Sequence, residues 1–136
     1  MASFNKINSF VEAVAEKVHN LGADTLTIAL TNTAHTSTWT QLSQLTQIAY
    51  TNLSARVLTR TSSAQISGTY RLILADLILT STGGTTGPFR YVYIFNDTAT
   101  NDELIGYYDY GSALTLQDGD TFTIDFDGVN GVLSIA

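Results

Sequence analysis

The sequence predicts a mainly β fold, an antiparallel β-sandwich or jelly roll of about eight strands with one N-terminal α-helix. Three observations carry that expectation. The chain holds 21 threonines, many at alternate positions, and β-branched residues suit a pleated, half-buried surface. Apolar and polar residues alternate through short segments that are separated by Asn, Asp and Gly turns. An apolar stripe at helical spacing is confined to the first 22 residues. Length places 136 residues in a single domain, with the helix over residues 1–22 and the sandwich body over 24–136.

The helix is predicted from Phe4, Ile7, Val11, Val14, Val18 and Leu21, which recur at alternating spacings of three and four. Ser3 is the expected N-cap. Asn20 and Gly22 are the expected stop, since both tolerate a left-handed turn. Phe10 lies beside the stripe and widens its apolar face. A helix packed on the sheet accounts for the stripe, and so does a helix that pairs with a second copy or another protein. Phe4, Ile7, Phe10, Val11, Val14 and Val18 are therefore candidate protein-contact residues, and a homodimer or homotrimer is expected.

The body begins with Leu26, Ile28 and Leu30 alternating with threonine, a half-buried strand. Residues 31–40 read as a loop and Leu42, Leu45 and Ile48 as a short helical turn. Strands are expected near Ala55–Thr61 and Gln65–Thr80, the second bent at Ala75-Asp76, where the alternation slips. A turn over residues 82–88 holds the only proline. Further strands are expected over Phe89–Phe95, Leu104–Tyr110, Ala113–Leu116, Thr121–Phe126 and Val132–Ile135. Leu26, Ile28, Leu30, Leu72, Leu74, Phe122, Ile124 and Phe126 are the expected core.

Composition excludes several classes of function. With no cysteine, thiol catalysis and zinc ribbons are ruled out. A net charge of −6, with six basic residues in no run, argues against nucleic acid, whose phosphates need clustered Lys and Arg. No apolar run approaches the roughly 20 residues of a membrane span. The opening Met-Ala-Ser-Phe-Asn-Lys has no apolar core of a secretory signal, so synthesis in the cytoplasm is expected. Charged residues make up 13% of the chain, about half the usual level. Such a surface repels neighbours weakly and suits a packed assembly.

After Arg90 the chain carries Asp97, Asp102, Glu103, Asp109, Asp118, Asp120, Asp125 and Asp127 and no basic residue, a candidate acidic surface for contact. Asp118-Gly119-Asp120 and Asp125-Phe126-Asp127-Gly128 offer oxygens to calcium, yet no EF-hand pattern is present and Asp118-Gly119 reads fully as a hairpin turn. No metal and no cofactor is expected. His19 and His35 lie in unlike elements, and none of the 11 serines is framed by a nucleophile elbow. The acids fall mostly at turns, where solvent keeps them ionised, unlike the facing pair that glycan hydrolysis needs. The protein is expected not to be an enzyme. Tyr91, Tyr93, Tyr107, Tyr108 and Tyr110 can stack on sugars or pair across strands. Adjacent Tyr107 and Tyr108 point to opposite faces.

The runs Ser3–Lys6 and Phe10–His19, Gly87–Tyr91 through Asn96–Thr98, Glu103–Gly111 and Leu116–Phe122 resemble small structural proteins of tailed bacteriophages. Many proteins of that kind are jelly-roll capsid cement, or decoration, proteins. The resemblance spans nearly the whole chain, is weakest over 31–67, and brings no catalytic residues. It implies a place on the outside of the virion head, where the chain would tie subunits of a separate major capsid protein together. The alternative is a tail or fibre component that binds host-surface glycan through the Tyr-rich face.

Overall fold

The structure, a computed structural model, describes residues 2–136. Strands take 46% of the chain and helix 7%, so the mainly β expectation holds. The described residues form nine strands: β1 (Asn5–Lys6), β2 (Leu26–Thr31), β3 (Arg60–Ile66), β4 (Thr69–Leu74), β5 (Leu77–Thr80), β6 (Thr86–Asn96), β7 (Leu104–Leu116), β8 (Thr121–Ile124) and β9 (Leu133–Ile135). One α-helix, α1 (Phe10–Ala15), and a 3-10 turn at Leu42–Gln44 complete the elements.

The strands form one central antiparallel sheet in the order β1-β7-β6-β2 and a second layer in two pieces, β3-β4-β9 and β5-β8. The second layer is one interrupted ladder. Running from β4 into β5, Tyr70, Leu72, Leu77 and Thr80 meet Ile135, Leu133, Ile124 and Thr121 in turn. The interruption falls at Ala75-Asp76, the bend expected from the slipped alternation. There the Asp76 carboxylate accepts the Phe126 N–H at 2.9 Å, taking the place of a ladder bond. The layers meet through aromatic edges. The Phe89 and Phe122 rings lie 5.4 Å apart near a right angle, and Tyr108 lies 6.2 Å from Phe126.

The expected core is largely in place. Leu26, Ile28, Leu30, Leu72, Leu74, Ile124 and Phe126 are buried, and Phe122 is half-buried against Phe89 and Tyr110. The difference lies in β2, which is buried at all six positions rather than on alternate ones. An irregular segment runs along its free edge, giving the bonds Ile48 N–H to Leu30 O, Ile28 N–H to Arg56 O and Leu58 N–H to Leu26 O. The strand expected at Ala55–Thr61 is this covering segment, and β3 begins only at Arg60. The stretch expected as one bent strand over Gln65–Thr80 contains in addition a hairpin turn. Ser67 and Gly68 both take positive φ, 51° and 82°, as a two-residue loop requires. Leu104–Tyr110 and Ala113–Leu116 form the single strand β7, passing through Gly111 at φ 97°.

The N-terminal helix is the largest correction. Instead of spanning 1–22, it is the six residues of α1. Asn5 and Lys6 pair with Tyr107 and Gly106 as an edge strand, and the Ile7 N–H bonds Ile105 O. Ser3 caps nothing; Ser9 occupies the N-cap without a side-chain bond. The helix stops at a left-handed residue that is not a glycine. Lys17 has φ 67°. Its N–H bonds Val14 O while the Val18 N–H bonds Ala13 O, the paired closure of a Schellman motif.

Candidate functional site

Because β1 and β9 each end a sheet, each leaves one row of main-chain N–H and C=O groups without a strand partner. Between these two edges and α1 runs a groove of about 510 Å³. Phe4 and Lys6 come from the β1 side, Phe10, Val11 and Val14 from the helix, and Leu133 to Ile135 from β9. Val11 is 56% exposed and Ile135 41%, so the groove presents apolar surface to solvent. Phe4 packs edge-on to Tyr108 at 5.6 Å. It also lies where a Cβ at position 106 would fall, 2.1 Å from that point, so Gly106 is what lets β1 close on β7.

Four of the candidate contact residues, Phe4, Phe10, Val11 and Val14, thus line one groove. The others do not. Ile7 is wholly buried, and Val18 faces the neighbouring cleft. Phe10, only 3% exposed, is the floor of the groove and part of the core, not surplus apolar width on a docking face. The helix is too short for the three-four stripe to exist as one face, which is why these side chains divide.

The neighbouring cleft is wide and open, about 990 Å³, and shares Val14 and Ile135 with the groove. At its wall stands a polar cluster that joins the stretch after α1 to the end of β6. The Asn96 amide, wholly buried, donates to the Asp24 carboxylate at 2.7 Å and lies 3.0 Å from His19 Nδ1. His19 is 7% exposed and stacks on Phe10 at 5.5 Å. Among the described residues its Nε2 has no partner, and neither does the similarly buried Glu103 Oε2. Burial lowers the His19 pKa, against the pull of Glu103 and Asp24, which raise it. Nothing in the sequence marks this cluster, because its bonds join residues 72 and 77 positions apart.

The acids after Arg90 do not gather on one face. Asp97, Asp102 and Glu103 lie between β6 and β7, Asp118 and Asp120 between β7 and β8, and Asp125 and Asp127 between β8 and β9. The first two groups stand at opposite ends of β7. Most have local duties. Asp118 accepts the Gly83 N–H and Asp120 the Gln117 N–H, both at 2.9 Å. Asp127 accepts the Asn130 N–H, the Asn130 side chain and the Val129 N–H, which together hold its pKa below the usual carboxylate range. Asp109 makes a two-pronged pair with Arg90 at 2.8 and 3.0 Å, and that hydrogen bonding lowers its pKa. Burial and the neighbours Asp97 and Glu103 raise that of Asp102. Among the described residues no group of three or more His, Asp or Glu is placed to hold a metal ion.

The tyrosines divide between the two faces of the central sheet. Tyr93 is wholly buried, 5.2 Å from Tyr107. The loop after β2 lays His35 on Tyr107 at 4.2 Å, and His35 Nδ1 meets the Tyr93 hydroxyl at 2.8 Å. Trp39 adds an edge contact to His35. On the other face Tyr108 is half-buried, its pKa pushed up to about 12 by burial, and Tyr110 is half-exposed. These rings mostly cover one another, as cross-strand pairs do. No helix among the described residues is long and apolar enough to cross a membrane. Comparison with protein-family models, with curated proteins and with solved structures returns no match.

Proposed function

We propose that this is a non-enzymatic virion protein: a capsid decoration, or cement, protein. It docks on the outside of the head through the groove between β1, α1 and β9, and bridges subunits of the major capsid protein. The observation that carries this reading is the groove itself, an apolar surface flanked by two open sheet edges. A strand or loop from a neighbouring subunit can add to such an edge with main-chain hydrogen bonds while its apolar side chains fill the groove. The resemblance read from the sequence runs, the low charge and the many threonines support the same reading. Asp118, Asp120 and Asp127 are engaged in turns and Asp109 in an ion pair, which supports a non-catalytic role for them. A chain that binds the assembled shell and not its free subunits stabilises the shell by mass action, and many modest contacts add.

The test is decoration of particles. Val11→Asp and Ile135→Asp place charge on exposed groove residues that the core does not need. Each is expected to leave the isolated domain folded and to lower occupancy on heads in co-sedimentation and in particle density maps. If both variants occupy heads as the parent does, the groove is not the docking surface. A density map that puts the chain at the tail tip removes the capsid reading altogether.

A further inference from the structure

We propose that His19 is an acid-sensitive latch that holds α1 and residues 16–24 against the central sheet at neutral pH and releases them on protonation. The geometry begins with Asn96. Its Oδ1 accepts the Thr98 and Ala99 N–H groups at 3.0 and 3.2 Å, and its amide nitrogen faces the Asp24 carboxylate at 2.7 Å. These three partners fix which end is oxygen and which is nitrogen. The remaining amide hydrogen points at His19 Nδ1, 3.0 Å away. Nδ1 must therefore accept, and the imidazole hydrogen sits on Nε2.

Protonation puts a hydrogen on Nδ1 as well, and two donors then face each other. Asn96 cannot turn to relieve this. Its oxygen would meet the Asp24 carboxylate, and the Thr98 and Ala99 N–H groups would lose their acceptor. The charge would also be created on a ring that is only 7% exposed, at the wall of the cleft.

The groups around the ring divide in sign. Asp24 from its own segment and Glu103 from the β6–β7 connection attract the cation. Asp102 lies beside both Asp97 and Glu103. Arg60 of β3 reaches over to the Leu21 and Asp24 carbonyls, and Lys17 borders the same cleft. Phe10 of α1 covers one ring face. Burial outweighs the acids, so the neutral ring is the form that the fold favours. A histidine whose pKa is depressed on folding contributes its stability fully above the ordinary value of about 6.5. That contribution declines as pH falls below this value and is gone below the lowered folded value. Because Phe10 and Val14 form part of the groove, release of the latch loosens that surface too.

Nitrogen-15 NMR of the wild-type imidazole and amide hydrogen exchange test the latch together. The expected results at neutral pH are the Nε2–H form of His19 and a titration midpoint below the ordinary histidine value. Between about pH 7.5 and about pH 5, exchange of residues 10–24, corrected for its intrinsic pH dependence, should rise several-fold relative to the β6–β7 pair. His19→Gln keeps an acceptor and cannot titrate, so the rise should vanish. Glu103→Gln should move the midpoint lower still. An Nδ1–H form at neutral pH, a midpoint at or above the ordinary value, or an acid-induced rise that persists in His19→Gln overturns the proposal. Should His19→Gln fail to fold, the form and midpoint of the wild-type ring decide together with the wild-type exchange of residues 10–24, and exchange that does not rise between these pH values overturns the proposal.

Discussion

Phe10 and Lys17 show how single side chains set the N-terminal segment. Phe10 is 3% exposed and stacks on His19. Phe10→Ala is expected to cost about 3–5 kcal/mol in a denaturant titration. Phe10→Asp should unfold the isolated domain, contrary to what its place beside a helical stripe suggested. Lys17 holds a left-handed backbone at φ 67°, which costs a side-chain-bearing residue about 1–2 kcal/mol. Lys17→Gly removes that strain and loses part of the gain to the greater freedom of an unfolded glycine. A net stabilisation of about 0.5–1 kcal/mol is expected from thermal or denaturant midpoints. A variant less stable than the parent would mean that the Lys17 side chain makes a contact worth more than its backbone strain. The sequence pointed to Asn20 and Gly22 because those residue types tolerate this conformation. A lysine carries no such mark, so the true stop was hidden.

Among the elements, legibility followed how local each cause is. Asp118-Gly119 and Asn130-Gly131 marked real turns because their residues meet the backbone demand themselves, with Gly119 and Gly131 at φ 89° and 86°. The break at Ala75-Asp76 was visible as a slip in alternation. The Ser67-Gly68 turn was missed because the run of residues on either side continues the strand pattern. β2, expected to be half-buried, is buried throughout for a different reason. Alternation reports side-chain polarity, and threonines such as Thr27 and Thr31 can be buried when their hydroxyls are bonded. Thr31 donates to the Thr46 carbonyl at 2.6 Å, and Thr27 to Asp97 at 3.3 Å. At the N-terminus, three-four spacing is met as well by a strand residue, a turn residue and a one-and-a-half-turn helix as by one long helix. Of the stripe residues, Val11 and Val14 line the groove from the helix, as Phe10 beside them does, while Phe4 lines it from the extended segment before β1.

Taken as a whole, the molecule keeps the acids after Arg90 out of the lining of the apolar groove. The acids after Arg90 occupy three connections and one ion pair, whereas the groove lies between the two sheet edges. If docking runs through the groove, its strength should change little with ionic strength, since apolar burial is not screened while exposed charge contacts are. Occupancy on particles measured from low to high salt checks this. Steep release as salt rises would show that the acidic connections supply the contact instead. The His19 cluster lay beyond sequence reasoning at this scale, since only the closed fold brings residues 19, 24, 96 and 103 together.

The order of strands in the central sheet has a consequence for synthesis. β2, buried at every position, has β6 as its ladder partner and must wait for residues 86–96 to be made. β1 waits longer, for Gly106 and Tyr107. Such distant pairing makes for slow closure, on the scale of milliseconds to seconds, and leaves an apolar strand uncovered in the nascent chain. The groove has β1 for one wall and β9 for the other, so it cannot exist until residues 133–135 are in place and folded. If the groove is the docking surface, a partly made chain lacks it.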